Sequence, residues 1–195
     1  LETAGLEFTR PIIQIAAIAV SSQLRELESC EIKLLFDENQ ADPAALRSNH
    51  YDPTVWKAKA VEPEAGARIF AAFLRRHATV DLVSRRSGAI YHVAKLVAHN
   101  GEQFDGPFLR AWYKRLGLFL PAAYSVFCTK QRAYCLFHED KSLTPPDDFE
   151  LATLCHHFGV SLPPDQAHDT LNDVRATVSL YRRMMEYSSK ARNAA

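Results

Sequence analysis

The sequence predicts an α/β fold, and three observations carry that prediction. Ile12-Ile13-Gln14-Ile15-Ala16-Ala17-Ile18-Ala19-Val20, almost wholly apolar and bounded by Pro11 and by Ser21-Ser22, has the pattern of a strand buried on both faces. Other stretches, such as the one carrying Ile69, Phe70, Phe73 and Leu74, repeat their apolar residues at three and four, the period of a helix packed on a core. Tyr91 to Ala98 reads as a strand that runs straight into His99-Asn100-Gly101 and then a helical pattern, the place where α/β proteins build their sites.

Bulk composition narrows the function classes. With 195 residues, 47% hydrophobic and 24% charged, the chain suits one substantial core. The longest apolar run is shorter than a bilayer span and lacks a basic leader, so neither membrane insertion nor secretion is indicated. Cys30, Cys128, Cys135 and Cys155 show no CxxC spacing, which argues against a zinc knuckle or disulfide framework and for a reducing cytoplasm. A net charge of zero argues against a sequence-independent binder of long duplexes. The pairs Arg75-Arg76, Arg85-Arg86, Lys130 with Arg132, and Arg182-Arg183 read first as solvated surface.

Taken in order, Leu1 to Leu6 is turn-like and Ile12 to Val20 is the buried strand. Cys30 to Phe36 alternates, with Cys30, Ile32, Leu34 and Phe36 on one face, and reads as a second strand paired with the first. Residues 37 to 60 form a polar excursion with one short helix at Ala44 to Asn49. Pro63 opens a helix that ends in Arg75-Arg76-His77, a basic finish suited to the negative helix terminus. Val80 to Val83 and Tyr91 to Ala98 are strands. A helix at Gln103 to Leu116 stops at Gly117. A strand or loop near Ala123 to Phe127 is followed by helices near Thr129 to Phe137 and Phe149 to Phe158. The final helix shows Val174, Thr177, Val178, Tyr181 and Met185 on its apolar side, with Asp169 or Thr170 as N-cap. The tail after Tyr187 is expected to fray.

Three carboxylates stand at loop or helix entrances: Glu2, Asp105 and Asp173. Asp173 lies in the first turn of the last helix, where free backbone N–H groups and the positive end of the dipole favour its ionised form. His168 falls just ahead of that helix. Magnesium and manganese require hard oxygen ligands of this kind, and two such ions can activate a water on one side of a phosphorus while stabilising the leaving oxygen on the other. A histidine near neutral pKa suits removal of the water's proton. The plainer alternative is that these residues are helix caps and surface groups.

At these positions the sequence resembles the DEDD exonucleases, specifically the histidine subclass that includes the proofreading subunit of bacterial replicative DNA polymerase, ribonuclease T and the three-prime repair exonucleases. Leu1-Glu2-Thr3-Ala4-Gly5-Leu6 is similar to the end of the family's first motif, usually Asp-x-Glu-Thr-x-Gly. Ala98-His99-Asn100-Gly101-Glu102-Gln103-Phe104-Asp105 is similar to the second, and Ala167-His168 through Asp173 and Ala176-Thr177 to the third. The resemblance implies a ribonuclease H-like fold, a mixed five-stranded sheet flanked by helices, in a single exonuclease domain over residues 1–187. It also implies a 3′ to 5′ exonuclease that releases 5′-nucleoside monophosphates, DNA favoured over RNA, with proofreading or DNA repair as settings.

In that reading Glu2, Asp105 and Asp173 hold two Mg²⁺ or Mn²⁺ ions and His168 is the general base. Leu6 wedges against the terminal bases, while Thr3, His99, Asn100 and Phe104 shape the pocket for the 3′-terminal nucleotide. Phe104 read without the resemblance is equally a core residue, and Asn100 a turn residue. The implied partner is nucleic acid with a free 3′ end, single-stranded or frayed, and a polymerase or repair protein or a second copy of the chain is compatible with it. The first motif's leading aspartate would stand directly before Leu1, so the natural protein is expected to continue upstream with several apolar residues ending in that aspartate. The rival reading is a catalytically silent module of the same fold that binds nucleic acid or protein.

Overall fold

The computed structural model describes residues 1–162 and 170–194, with side chains described as far as Tyr187. His168 and the alternative N-cap Asp169 lie outside the described residues. The elements run β1 (Glu2–Thr3), β2 (Ile12–Val20), β3 (Glu26–Lys33), α1 (Pro43–Ser48), α2 (Pro53–Lys59), α3 (Pro63–Arg76), β4 (Val80–Val83), β5 (Ile90–Val93), β6 (Val97–Ala98), α4 (Asp105–Arg115), β7 (Phe127–Cys128), α5 (Thr129–Glu139), α6 (Leu151–His157) and α7 (Thr170–Ala194).

β2 begins and ends where its apolar pattern does, because Pro11 and the Ser21 turn bound it. It lies between β1 and β3 and is antiparallel to both, with Ile15 opposite Ile32 and Ala17 opposite Cys30. Its one polar interior residue, Gln14, is buried yet satisfied: its amide donates to Glu31 at 2.8 Å and its oxygen accepts from Lys33 Nζ at 3.0 Å. The strands do not form one five-stranded sheet. Among the described residues they form a three-stranded antiparallel sheet, an antiparallel β4-β5 pair and a parallel β6-β7 pair. The stretch expected as one strand from Tyr91 to Ala98 is split between β5 and β6, with Ala94 joined to Ala122 by a single bridge.

α3 and α4 pack against this framework. Ile15, Ile32, Leu34, Phe70, Phe73 and Trp112 belong to one buried cluster, and Tyr113 is buried there with its hydroxyl donating to Ala67 O at 2.6 Å. Gly66 is required for the close approach of α3 to the sheet, since a Cβ there would collide with the Leu34 side chain. Ile69, expected on the inner face, is exposed, because the α3 stripe is centred on Ala67, Phe70, Ala71 and Leu74. A second cluster joins α5, α6 and α7 through Leu136, Phe137, Leu154, Phe158, Leu180 and Met184.

The second strand runs from Glu26 to Lys33, earlier than the expected Cys30 to Phe36, because pairing with β2 carries Glu26 and the residues Glu28 and Ser29 into the ladder. The polar excursion holds two helices, not one. Asp42 and Asp52 cap them, Pro43 and Pro53 occupy their first turns, and Trp56 of the second donates its indole N–H to Ile13 O at 3.2 Å. The α7 stripe is rotated from expectation. Ala176, Leu180 and Met184 are buried, Met185 is exposed, and Val174, Val178 and Tyr181 are only half-buried. The α7 backbone also continues to Ala194, past the point where fraying was expected.

One surface ion pair ties β3 to the end of α3. Arg76 and His77 both bind the Glu28 carboxylate, His77 Nε2 at 2.7 Å, and hold it down to about 2, the Arg76 hydrogen bond contributing most. Glu28 thus binds its proton more weakly when folded than at its ordinary value of 4.5, so its contribution to stability is present above pH 4.5 and lost as the pH falls toward about 2. The difference in thermal midpoint between the wild type and Glu28→Gln is expected to be largest near neutral pH and to shrink across that window. A difference that does not change with pH would contradict this linkage.

Candidate active site

The strand ends and helix starts bring the three carboxylates to one place. Glu2 lies opposite Gln14 on the edge of β2. Asp105 opens α4, and Asp173 is in the first turn of α7. All three line one cavity of about 430 Å³, together with Leu1, His99, Phe104 and Thr170.

The loop that delivers Asp105 is tightly built. Asn100 adopts φ 57°, a left-handed conformation that asparagine tolerates, and its carbonyl accepts the Gln103 and Phe104 amides at 3.2 and 3.0 Å. Gly101 has no room for a side chain: a Cβ would stand 2.6 Å from Ala98 Cβ and 2.8 Å from Val126 Cγ1. Glu102 accepts the Val126 amide at 2.9 Å and fastens the loop to the segment before β7.

The three carboxylates lie close enough to perturb one another electrostatically. The Leu1 ammonium is buried and bonds Asp105 Oδ1 at 2.9 Å. Burial alone would push its pKa down, but Asp105, Glu2 and Asp173 outweigh burial and hold it above the ordinary value. Glu2 is pushed up, first by burial, with the charges of Asp173 and Asp105 adding to it and the Leu1 ammonium and the Thr170 hydroxyl opposing. Thr170 donates to Glu2 Oε1 at 3.4 Å. Partly desolvated carboxylates that repel one another in this way favour a cation between them.

Among the described residues, no three His, Cys, Asp or Glu side chains are already gathered as a metal cage. The three carboxylates, from β1, α4 and α7, are hard oxygen donors of the type that divalent cations take.

The substrate-pocket residues separate into groups. His99 and Phe104 line the cavity. Both ring nitrogens of His99 are engaged, Nδ1 with Thr129 Oγ1 at 2.9 Å and Nε2 with Phe149 O at 3.0 Å. A carbonyl can only accept, so Nε2 carries the proton and Nδ1 accepts from Thr129. Burial pushes the His99 pKa down, which keeps the ring neutral. Phe104 packs on the core with its ring centroid 4.8 Å from that of Phe108. Asn100 serves the turn through its backbone. Thr3 is buried, its hydroxyl donating to Gly5 O at 2.7 Å. Leu6 is 82% exposed on the loop after β1. Sequence reasoning missed Thr129 and Thr170, the partners of His99 and Glu2, because a threonine at a helix start reads as a cap and its partners are distant in sequence.

No protein-family profile and no curated protein sequence matches the chain. Solved structures do. Escherichia coli exonuclease I in complex with a dT13 oligonucleotide superposes with a TM-score of 0.75 at 19% identity, over 99% of this chain and 41% of that one. A product-bound exonuclease I gives a TM-score of 0.73 at 18% identity, over 97% of this chain and 42% of that one. The zinc-bound form of an E. coli exonuclease I complex with single-stranded DNA gives 0.70 at 19% identity, over 95% of this chain and 40% of that one. The chain therefore spans about two fifths of the length of these proteins. With α-helices packed on its mixed strands and nearly its whole length superposed, this chain has the ribonuclease H-like fold that exonuclease I carries.

Proposed function

We propose that the chain is the catalytic domain of a metal-dependent 3′ to 5′ exonuclease acting on single-stranded DNA and releasing 5′-nucleoside monophosphates. The observation that supports this best is the convergence of Glu2, Asp105 and Asp173 on one cavity, within a fold shared with exonuclease I. Glu2, Asp105 and Asp173 would hold two divalent ions, Mg²⁺ or Mn²⁺. Such ions supply charge neutralisation at a phosphodiester and lower the pKa of a water.

The chain's own residues would do the rest. Asp105 and Asp173 would present their carboxylates from the first turns of α4 and α7. The neutral His99 ring and Phe104 offer a wall for the terminal sugar and base, with His99 held in place by Thr129 and the Phe149 carbonyl. Leu6, exposed on the loop after β1, would wedge at the terminal base. His168, on the segment entering α7, would take the proton of the attacking water. Cys30, Cys128, Cys135 and Cys155 are free thiols, which suits a reducing, cytoplasmic setting, and no described helix is long and apolar enough to cross a membrane.

The testing experiment incubates the protein with end-labelled DNA and RNA, single- and double-stranded, with Mg²⁺, with Mn²⁺ and with chelator. Metal-dependent stepwise shortening of single-stranded DNA from its 3′ end is the expected result. Binding to the same DNA without shortening under any of these conditions would favour the catalytically silent module.

A further inference from the structure

Outside the cavity, one face of the β6-β7 pair carries aromatic rings and lysines on the surface. Val97 and Phe127 are register partners in that parallel pair, so their side chains share a face. Lys95 belongs to the same face, because its ammonium stands 4.1 Å from the centroid of the Phe127 ring. Lys95, Val97 and His99 line the cavity, and Phe127 is 49% exposed. Two residues after Phe127, the Thr129 hydroxyl bonds His99 Nδ1 at 2.9 Å and ties this face to the site.

The two segments that grip His99 extend the strip. Thr129 opens α5, and Lys130 and Tyr134, four residues apart, are neighbours on that helix's surface. Phe149, whose carbonyl accepts from His99 Nε2 at 3.0 Å, stacks on Tyr134 with ring centroids 4.0 Å apart and planes 20° apart. Phe149 thus covers one face of Tyr134, and the exposed half of that ring is its other face and edge. Lys130 Nζ bonds Glu150 at 2.8 Å, a carboxylate exposed enough for a phosphate to take its place. Exposed rings scattered singly are ordinary on a protein surface. Two rings accompanied by two lysines, and joined to the cavity through one histidine, have the chemistry that stacks bases and meets phosphates along a single strand.

We propose that Phe127 and Tyr134, together with Lys95 and Lys130, form a track for the nucleotides of a single strand that lie upstream of its 3′-terminal one. The inference rests on the reading of the cavity as the seat of a 3′ end, and it supplies a path for the rest of the strand. Each ring offers a flat face to a base, a contact that tolerates any sequence, while each ammonium meets the phosphate beside that base. Bases of a duplex are already stacked on one another and present only their edges in the grooves, so the track selects unpaired strands. Tyr124 is the internal comparison. It is more exposed than Phe127 or Tyr134, but Arg110 of α4 lies 4.4 Å from its ring centroid and bonds its carbonyl at 2.8 Å, which ties it to α4 and leaves it outside the strip.

The test measures fluorescence anisotropy of end-labelled thymidine oligonucleotides of about 3 and about 12 nucleotides, one below and one within the usual span of a single-strand site, in chelator so that no strand is cut. The wild type is expected to bind the longer strand more tightly. Phe127→Leu and Tyr134→Leu keep apolar bulk and lose the flat ring. Each is expected to weaken the longer strand by roughly 5- to 100-fold, the loss of one base–aromatic stack, and to leave the shorter one unchanged. Lys95→Gln is expected to lower the slope of log affinity against log salt by about 0.7, the share of one phosphate on a single strand. Glu150→Gln, which releases Lys130, is expected to tighten the longer strand, and Tyr124→Leu to change neither. Lys95 and Glu150 are exposed, so their variants decide the matter even where a ring substitution unfolds the chain. A wild type that binds both lengths alike, ring variants that stay folded and lose nothing, or an equal loss in Tyr124→Leu would each overturn the track. A chain that binds through the strip yet shortens no DNA when metal is restored keeps this inference and loses the proposed enzyme, so the two fail separately.

Discussion

Asp105→Asn and Asp173→Asn are each expected to reduce 3′-end cleavage by on the order of 10³-fold or more, the scale of a lost electrostatic stabiliser at a reacting centre, with the fold retained. Asn preserves the shape and the acceptor oxygen of Asp while removing its charge. Asp173 lies in the first turn of α7, where the substitution removes a charge favoured by the dipole at a cost of about 0.3 to 1 kcal/mol, far less than a domain's stability of about 5 to 15 kcal/mol. Cleavage rates on end-labelled single-stranded DNA, taken beside circular dichroism melts, separate the two effects. Full activity in either folded variant would remove these residues from the site.

His168→Ala is expected to lower the rate by roughly 10²- to 10⁴-fold, the usual consequence of losing a general base, while divalent-ion binding persists. The sign of the pH dependence follows from the role. A base must be unprotonated to act, so the wild-type rate rises with pH through the imidazole's ordinary range near 6.5, and the variant loses that limb. Single-turnover rates between pH 5 and 8 on wild type and variant check this, with isothermal titration of Mn²⁺ as the control for metal binding. A flat wild-type profile with chemistry limiting would assign the proton to another group.

The fold was legible where one local pattern met one local requirement. Pro11 and the Ser21 turn delimit β2 in the sequence as in the structure, and Pro63 opens α3 because a proline's missing N–H costs nothing in a first turn. α2 was hidden because its seven residues bury only Trp56, too little for a periodic signal. The split of Tyr91 to Ala98 into β5 and β6 was equally hidden, since pairing with β4 at one end and β7 at the other is set by residues distant in sequence.

The sequence by itself determined which residues carry charge at element entrances: Glu2, Asp105 and Asp173 are identifiable there because helix starts and strand ends have local signatures. Only the tertiary structure decided that these three face one cavity, that His99 is half-buried with its ring nitrogens engaged by Thr129 and the Phe149 carbonyl, and that Val174, Val178 and Tyr181 line a groove while Leu180 and Met184 fill the core. The physical reason is the range of the interactions. Periodicity and capping act over one or two turns of chain, whereas burial and the repulsion between Glu2, Asp105 and Asp173 join groups that only long-range packing brings together.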